Sequence, residues 1–299
     1  VDPATLVFAR RLFARVLETP GGLRIQTIHG FCESLLARFP LEAGQPPNFE
    51  VFDDRRALDL LANARDGVLL DAAEDDGLSH ALTTISGRIG ELRFLDVINR
   101  LVGERGRIDR LITRCGGIAK LIEATFRKLD VAPGETEATV IGAACAGNFN
   151  EPGLHAAADV LLRGSKTDVA RGEVLAAWLR RDAHDRAATF DDYVAAYLTN
   201  DGTIRKTLLT KASRERMPKA DDILEKEAER ILAVSERRRA VNVAIGTAAL
   251  LELGDAILTR YQEAKRARNA LDYDDLILRA RSLLTQSDIT AWILFKLDG

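Results

Sequence analysis

Apolar residues recur at spacings of three and four along almost the whole of this 299-residue chain. Leu6, Phe8, Leu12, Phe13, Val16 and Leu17 set the pattern at the start. A chain written at this period folds into amphipathic helices whose apolar stripes must find partners. The longest such text runs from Ala220 to about Asn269, with Ile223, Leu224, Ile231, Leu232, Val241, Ala244, Ile257 and Tyr261 among its apolar positions. That is several times an average helix, so a bend near Gly246 or Gly254, or two consecutive helices, is expected there. The chain reads as mainly α.

The exceptions are short. Pro20-Gly21-Gly22 ends the first helix, and Leu23 to Thr27 alternates as a strand feeding a turn. Gly30 to Phe39 returns to helical period and stops at Pro40. After a proline-bearing connector, Phe49 to Phe52 reads as a second short strand, and Asp53 and Asp54 stand where helix N-caps stand. From Gly77 to Cys145 several short helices are separated by Gly87, Gly103, Gly106 and Gly116-Gly117. Asn148 to Gly153 is the loop best suited to an internal boundary. Helices are expected again over 154–162, 169–179 and 187–198, and a closing pair over 273–284 and 289–297.

Composition narrows the function classes. Three cysteines, Cys32, Cys115 and Cys145, lie far apart without a CxxC pair, which argues against a zinc site or a secreted disulfide framework and favours a reducing cytoplasm. No apolar run is read as approaching the roughly 20 residues of a membrane span, and the first twenty residues are amphipathic and carry arginines, so neither a membrane partner nor a signal peptide is expected. A formal charge of −3 means that any nucleic-acid contact must be local. The excess of arginine over lysine is read as coding bias. The opening Val1-Asp2-Pro3 and the single methionine, Met217, suggest a piece of a longer protein.

Few strings carry chemistry. Thr27-Ile28-His29-Gly30-Phe31 places a hydroxyl, an imidazole and the free N–H groups of a helix start where a strand becomes a helix, an arrangement able to face one phosphate. Arg237-Arg238-Arg239 and the cluster Lys265, Arg266 and Arg268 are either solvated helix faces or contacts to duplex phosphates. No Gly-Lys-Ser/Thr phosphate loop is present. Gly164-Ser165-Lys166-Thr167 imitates one but has serine before the lysine, and reads as a turn between helices. The acidic pairs, Asp274-Asp275 among them, sit at helix starts, where capping explains them; Asp272 is expected to cap a helix whose Tyr273 and Leu276 pack inward. His80, His155 and His184 have no ligand spacing around them, so no metal and no catalytic residue are assigned.

The stretch from Leu23 to Pro40 resembles the Thr-x-His DNA-contact motif of UvrD/RecB-type superfamily one helicases, with wording similar to the AddA-type subunits of bacterial AddAB helicase-nucleases. Ala270-Leu271-Asp272-Tyr273-Asp274-Asp275-Leu276-Ile277 resembles the segment these helicases carry just before their acidic Walker B box, and Trp292 to Gly299 resembles the approach to it. The resemblance implies remnants of a RecA-like α/β motor domain at residues 1–48 and 269–299, with a multi-helix 1B-like accessory domain over 49–268 between them. It implies DNA contacts at Thr27, His29, Gly30 and Phe31. The parent would be an ATP-dependent helicase-exonuclease of double-strand-break repair and recombination, using ATP and Mg and working with an AddB-like partner subunit. This chain would itself bind neither cofactor. The alternative is a non-catalytic helical scaffold that docks the partner subunit.

Overall fold

The computed structural model describes residues 2–18, 26–285 and 287–298. Among them the chain runs α1 (Pro3–Glu18), α2 (Ile28–Arg38), β1 (Glu50–Phe52), α3 (Asp54–Asp71), α4 (Asp76–Ser86), α5 (Glu91–Gly103), α6 (Arg105–Cys115), α7 (Ile118–Lys128) and α8 (Glu137–Ala146). It continues through α9 (Glu151–Leu161), α10 (Lys166–Leu179), α11 (Ala183–Ala188), α12 (Phe190–Tyr197), α13 (Lys211–Arg216), α14 (Pro218–Ala267), β2 (Ala270–Asp272), α15 (Tyr273–Thr285) and α16 (Ser287–Asp298). The fold is mainly α, as the helical period requires. Residues 23–25 of the strand expected at Leu23–Thr27 lie outside the described residues.

Local signals place most boundaries. Asp53 caps α3, its carboxylate accepting the Arg56 N–H at 2.8 Å. Ser165 caps α10 through a capping box with Asp168, so the loop-like Gly164–Thr167 string is a helix start. Gly106 does not act as the helix break expected of it; it lies inside α6, against Leu278. The apolar stripe of α1 is a helix face, but Leu6, Phe8 and Leu12 are exposed.

The chain forms two units. One, the terminal unit, comprises Val1–Asp75, Val102–Gly106 and Asp255–Gly299. Its core joins Cys32, Leu35 and Leu36 of α2 and Phe39 to Leu271, Leu276, Ala280, Leu283 and Ile293. β1 and β2 pair in parallel, Glu50 opposite Ala270 and Phe52 opposite Asp272. Asn48 and Asn269 introduce the two strands at φ of 67° and 50°, a left-handed conformation that asparagine tolerates, and the Asn269 side chain donates to the Asn48 carbonyl at 3.2 Å. Parallel strands need a long crossover. Here it is the entire middle of the chain, and residues 49–75 and 255–268 share this unit with both ends.

The other, the middle unit, comprises Asp76–Leu101 and Arg107–Gly254. Trp178 lies stacked on Tyr193 with ring centroids 3.8 Å apart, and Leu154, Leu161, Leu175, Phe190, Tyr197, Leu224 and Ile231 fill the space around them. Tyr193 donates to Glu227 at 2.8 Å, and Arg230 closes on the same carboxylate at 2.6 and 2.8 Å, so the polar tips of this core are satisfied. Gly172 lets α10 approach α9: a Cβ there would stand 2.9 Å from that of Leu161. The Asn148–Gly153 loop does not divide this unit. Asn150 caps α9 through the Gly153 N–H, Phe149 packs on Trp178, and Cys145 and Leu154 on either side enter one core.

The long helical text departs from expectation. It is one continuous 50-residue helix, α14, without a break at Gly246 or Gly254. Gly254 serves packing instead, because a Cβ there would meet the Leu101 side chain at 2.7 Å. A stretch of α14 is long and apolar enough to cross a membrane, contrary to the sequence reading. Its Val241, Ala244, Leu253 and Ile257 are nonetheless buried against protein, as in the core helix of a globular fold.

Candidate nucleic-acid interface

The start of α2 is built by Thr27. Its backbone is extended, its hydroxyl accepts the Gly30 N–H at 3.2 Å, and its carbonyl accepts the Phe31 N–H at 2.9 Å. Ile28 and His29 are the first residues of the helix, so their N–H groups point along its positive end. Thr27 is exposed, His29 and Gly30 are half-buried, and Phe31 is 39% exposed. The His29 ring lies on Tyr273, with centroids 4.8 Å apart and planes tilted by 35°. The two short strings at opposite ends of the sequence therefore meet in one place.

The residues flanking Tyr273 in sequence, Asp272, Asp274 and Asp275, belong to an ion network. Asp272 accepts the Asp275 N–H at 2.8 Å, and so caps α15 as expected, while Leu276 is fully buried. Lys265 donates to Asp272 at 2.9 Å and to Asp275, and Tyr261 donates to Asp272 at 2.6 Å. Arg105 reaches Asp272 and bonds Asp274 at 3.0 Å. Its Nε is a buried donor without a partner. Lys265, Arg105, Asp272 and Asp275 are each 5% exposed or less, so the charges balance one another out of water. Sequence reasoning missed Arg105 and Tyr261. The Asp272–Asp275 spacing signals a cap, but no local signal links it to an arginine 167 residues earlier.

Asp272 supplies a pH signature. Burial pushes its carboxyl up, but the charges of Lys265 and Arg105 and the hydrogen bonds from Tyr261 and Lys265 outweigh this and lower it from 3.8 to about 2. The folded value lies below the unfolded one, so the contribution to stability is complete above about pH 4 and is lost as pH falls toward 2. Acid titration followed by hydrogen exchange should show α15 losing protection in that interval, and Asp272→Asn should flatten the step.

The basic positions divide. Lys265 is not a phosphate contact, because it is 1% exposed and committed to two carboxylates. Arg237 grips Glu135 with two bonds of 2.7 and 2.6 Å, and Arg238 binds Glu137 at 2.6 Å and Asp191 at 2.7 Å, so neither guanidinium is a ready phosphate ligand. Hydrogen bonding to these arginines lowers the carboxyls of Glu135 and Glu137 in turn. Arg239 is exposed against the Gly202 backbone, Arg266 is exposed, and Arg268 is exposed with one bond to the Ala264 carbonyl. These three stay available. None of them is brought to the α2 start by an observed contact.

No curated protein matches the chain. A family model for the UvrD/REP helicase N-terminal domain matches residues 8–296, a span that takes in the Thr27–His29 start of α2, the β2–α15 junction and everything between them. Helicases of this kind are ATP-dependent and act on DNA, the ligand for which an exposed helix start with a threonine cap and a stacked histidine is chemically suited. With nearly its full length matched, the chain belongs to the UvrD/REP family of DNA helicases.

Proposed function

We propose that the chain is the DNA-gripping region of an AddA-type helicase-nuclease subunit, working in double-strand-break repair and recombination beside an AddB-like partner in the cytoplasm. In this reading the terminal unit belongs to the first RecA-like motor domain and the middle unit is its 1B-like accessory insertion. ATP and Mg act in the complete enzyme, through residues outside this chain. Thr27, His29, Gly30 and Phe31 face the single-strand backbone.

The observation that carries the reading is the contact of His29 with Tyr273, which sets the α2 start on the same core as the β2–α15 junction. A phosphate oxygen placed at that start would meet N–H donors, a helix dipole and an imidazole together. In the complete helicase, Thr27→Ala with His29→Ala should slow unwinding about tenfold, the loss of one charge-assisted contact. The stability cost should stay near the roughly 1 kcal/mol of a missing cap. Thr27→Ser keeps the cap and should preserve both. Loss of stability in step with activity would assign these residues to folding alone. The scaffold alternative makes a separate forecast: a forked duplex should not shift in a gel at any salt concentration.

A further inference from the structure

Seven arginines of the middle unit differ in what they bind. Arg186, Arg230, Arg237 and Arg238 are each neutralised by a glutamate. Arg171, Arg181 and Arg205 are not. Arg171 donates from Nε to the Ala196 carbonyl at 3.0 Å and from Nη1 to the Leu208 carbonyl, Arg205 donates to the Ala195 carbonyl at 3.0 Å, and Arg181 donates to the Thr189 hydroxyl at 2.8 Å. Neutral acceptors orient a guanidinium without cancelling its charge.

All three line one open groove of about 500 Å³ between α10 and α12. Its walls include Ala170, Val174 and Ala195, small side chains that leave room for a rod-like ligand. Asp192 is the carboxylate among the lining residues, so positive charge prevails. Asp168 acts on Arg171 through space, but its own oxygens accept from Thr210, Ser213 and the Ser165 N–H. Burial and then the neighbouring charge of Arg205 lower the Arg171 guanidinium, and the charge of Asp168 offsets this only in part.

We propose that this groove binds the phosphate backbone of duplex DNA, with Arg171 as a fixed donor in its wall and Arg181 and Arg205 as the more exposed ligands. The identification rests on the reading of the chain as DNA-binding. It replaces Arg237, Arg238 and Lys265 as the basic contacts, since those charges are spent. Guanidinium forks match phosphate oxygens in pairs, and DNA is the polyanion on which this family acts.

The test is fluorescence anisotropy of the 299-residue chain with a labelled duplex between 50 and 200 mM salt. Each phosphate neutralised adds about 0.9 to the log–log slope, so Arg181→Ala with Arg205→Ala should reduce the slope by about 1.8 and shrink the affinity ratio over that fourfold salt range about 12-fold. Ala195→Glu leaves the arginines in place and adds an anion on an exposed wall position; it should weaken duplex binding at low salt at least tenfold. It also decides the matter should the double variant fail to fold by circular dichroism. Arg180→Ala, outside the groove, should bind as wild type. A wild-type slope in the double variant together with wild-type affinity in Ala195→Glu, or an equal fall in Arg180→Ala, would overturn the groove while leaving DNA binding intact. A groove made for an acidic peptide would give the first of these results. Absence of duplex binding by the wild-type chain would remove the functional reading and the groove together.

Discussion

Lys265→Met is expected to destabilise the terminal unit by about 3–5 kcal/mol, the cost of leaving buried carboxylates without a counter-charge. The lysine is 1% exposed and bridges Asp272 and Asp275, and its removal leaves Arg105 alone against both. Urea unfolding should show the loss, and hydrogen exchange should place it in α15. The acid step of Asp272 should move to higher pH, because Lys265 is the strongest of the groups holding that carboxyl down. Lys265→Met with Asp275→Asn, which removes charge from both sides, should recover some of the stability. Were Lys265 a phosphate contact, the single variant would instead keep its stability and lose duplex affinity.

Trp178→Ala should cost the middle unit a similar amount, about 3–5 kcal/mol, as expected for truncating a buried tryptophan. Trp178 is 1% exposed, its ring stacks on Tyr193, and its indole N–H donates to the Arg186 carbonyl at 3.1 Å. Truncation therefore opens a cavity, removes an aromatic pair and orphans an acceptor. Trp178→Phe keeps the apolar ring and should lose clearly less. Protection should fall at α10 and α12, while α15 stays protected. A loss below about 1 kcal/mol in the alanine variant would mean that the site collapses around the gap and that the stack is not central to this core.

Helix starts are legible because their chemistry is local. A cap and its N–H lie three residues apart, so Asp53, Thr27 and the Ser165-Asp168 box act on the same turn in any tertiary setting. Glycine is less legible. Gly246, Gly254 and Gly106 read as breaks, yet a helix stabilised by packing on its apolar face keeps a glycine at a cost of about 1 kcal/mol. Gly254 and Gly106 lie where another side chain comes close, against Leu101 and Leu278.

The candidate site is half legible. The Thr27-to-Phe31 string and the Asp272-to-Leu276 string can each be singled out, and each keeps its local role as a helix start. Which charged residues are free cannot be read. Arg237 meets a glutamate 102 residues away and Arg171 meets only carbonyls, although both stand in equally ordinary helical text.

Sequence alone determined that this chain is helical and where most of its helices begin, because period and capping are interactions over a few residues of one backbone. Tertiary structure alone decided that β1 pairs with β2, that His29 rests on Tyr273, that Lys265 is an internal counter-ion and that three arginines ring an open groove. Charge neutralisation depends on which distant carboxylate the folded chain brings within about 4 Å, and that pairing exists only once each unit has packed.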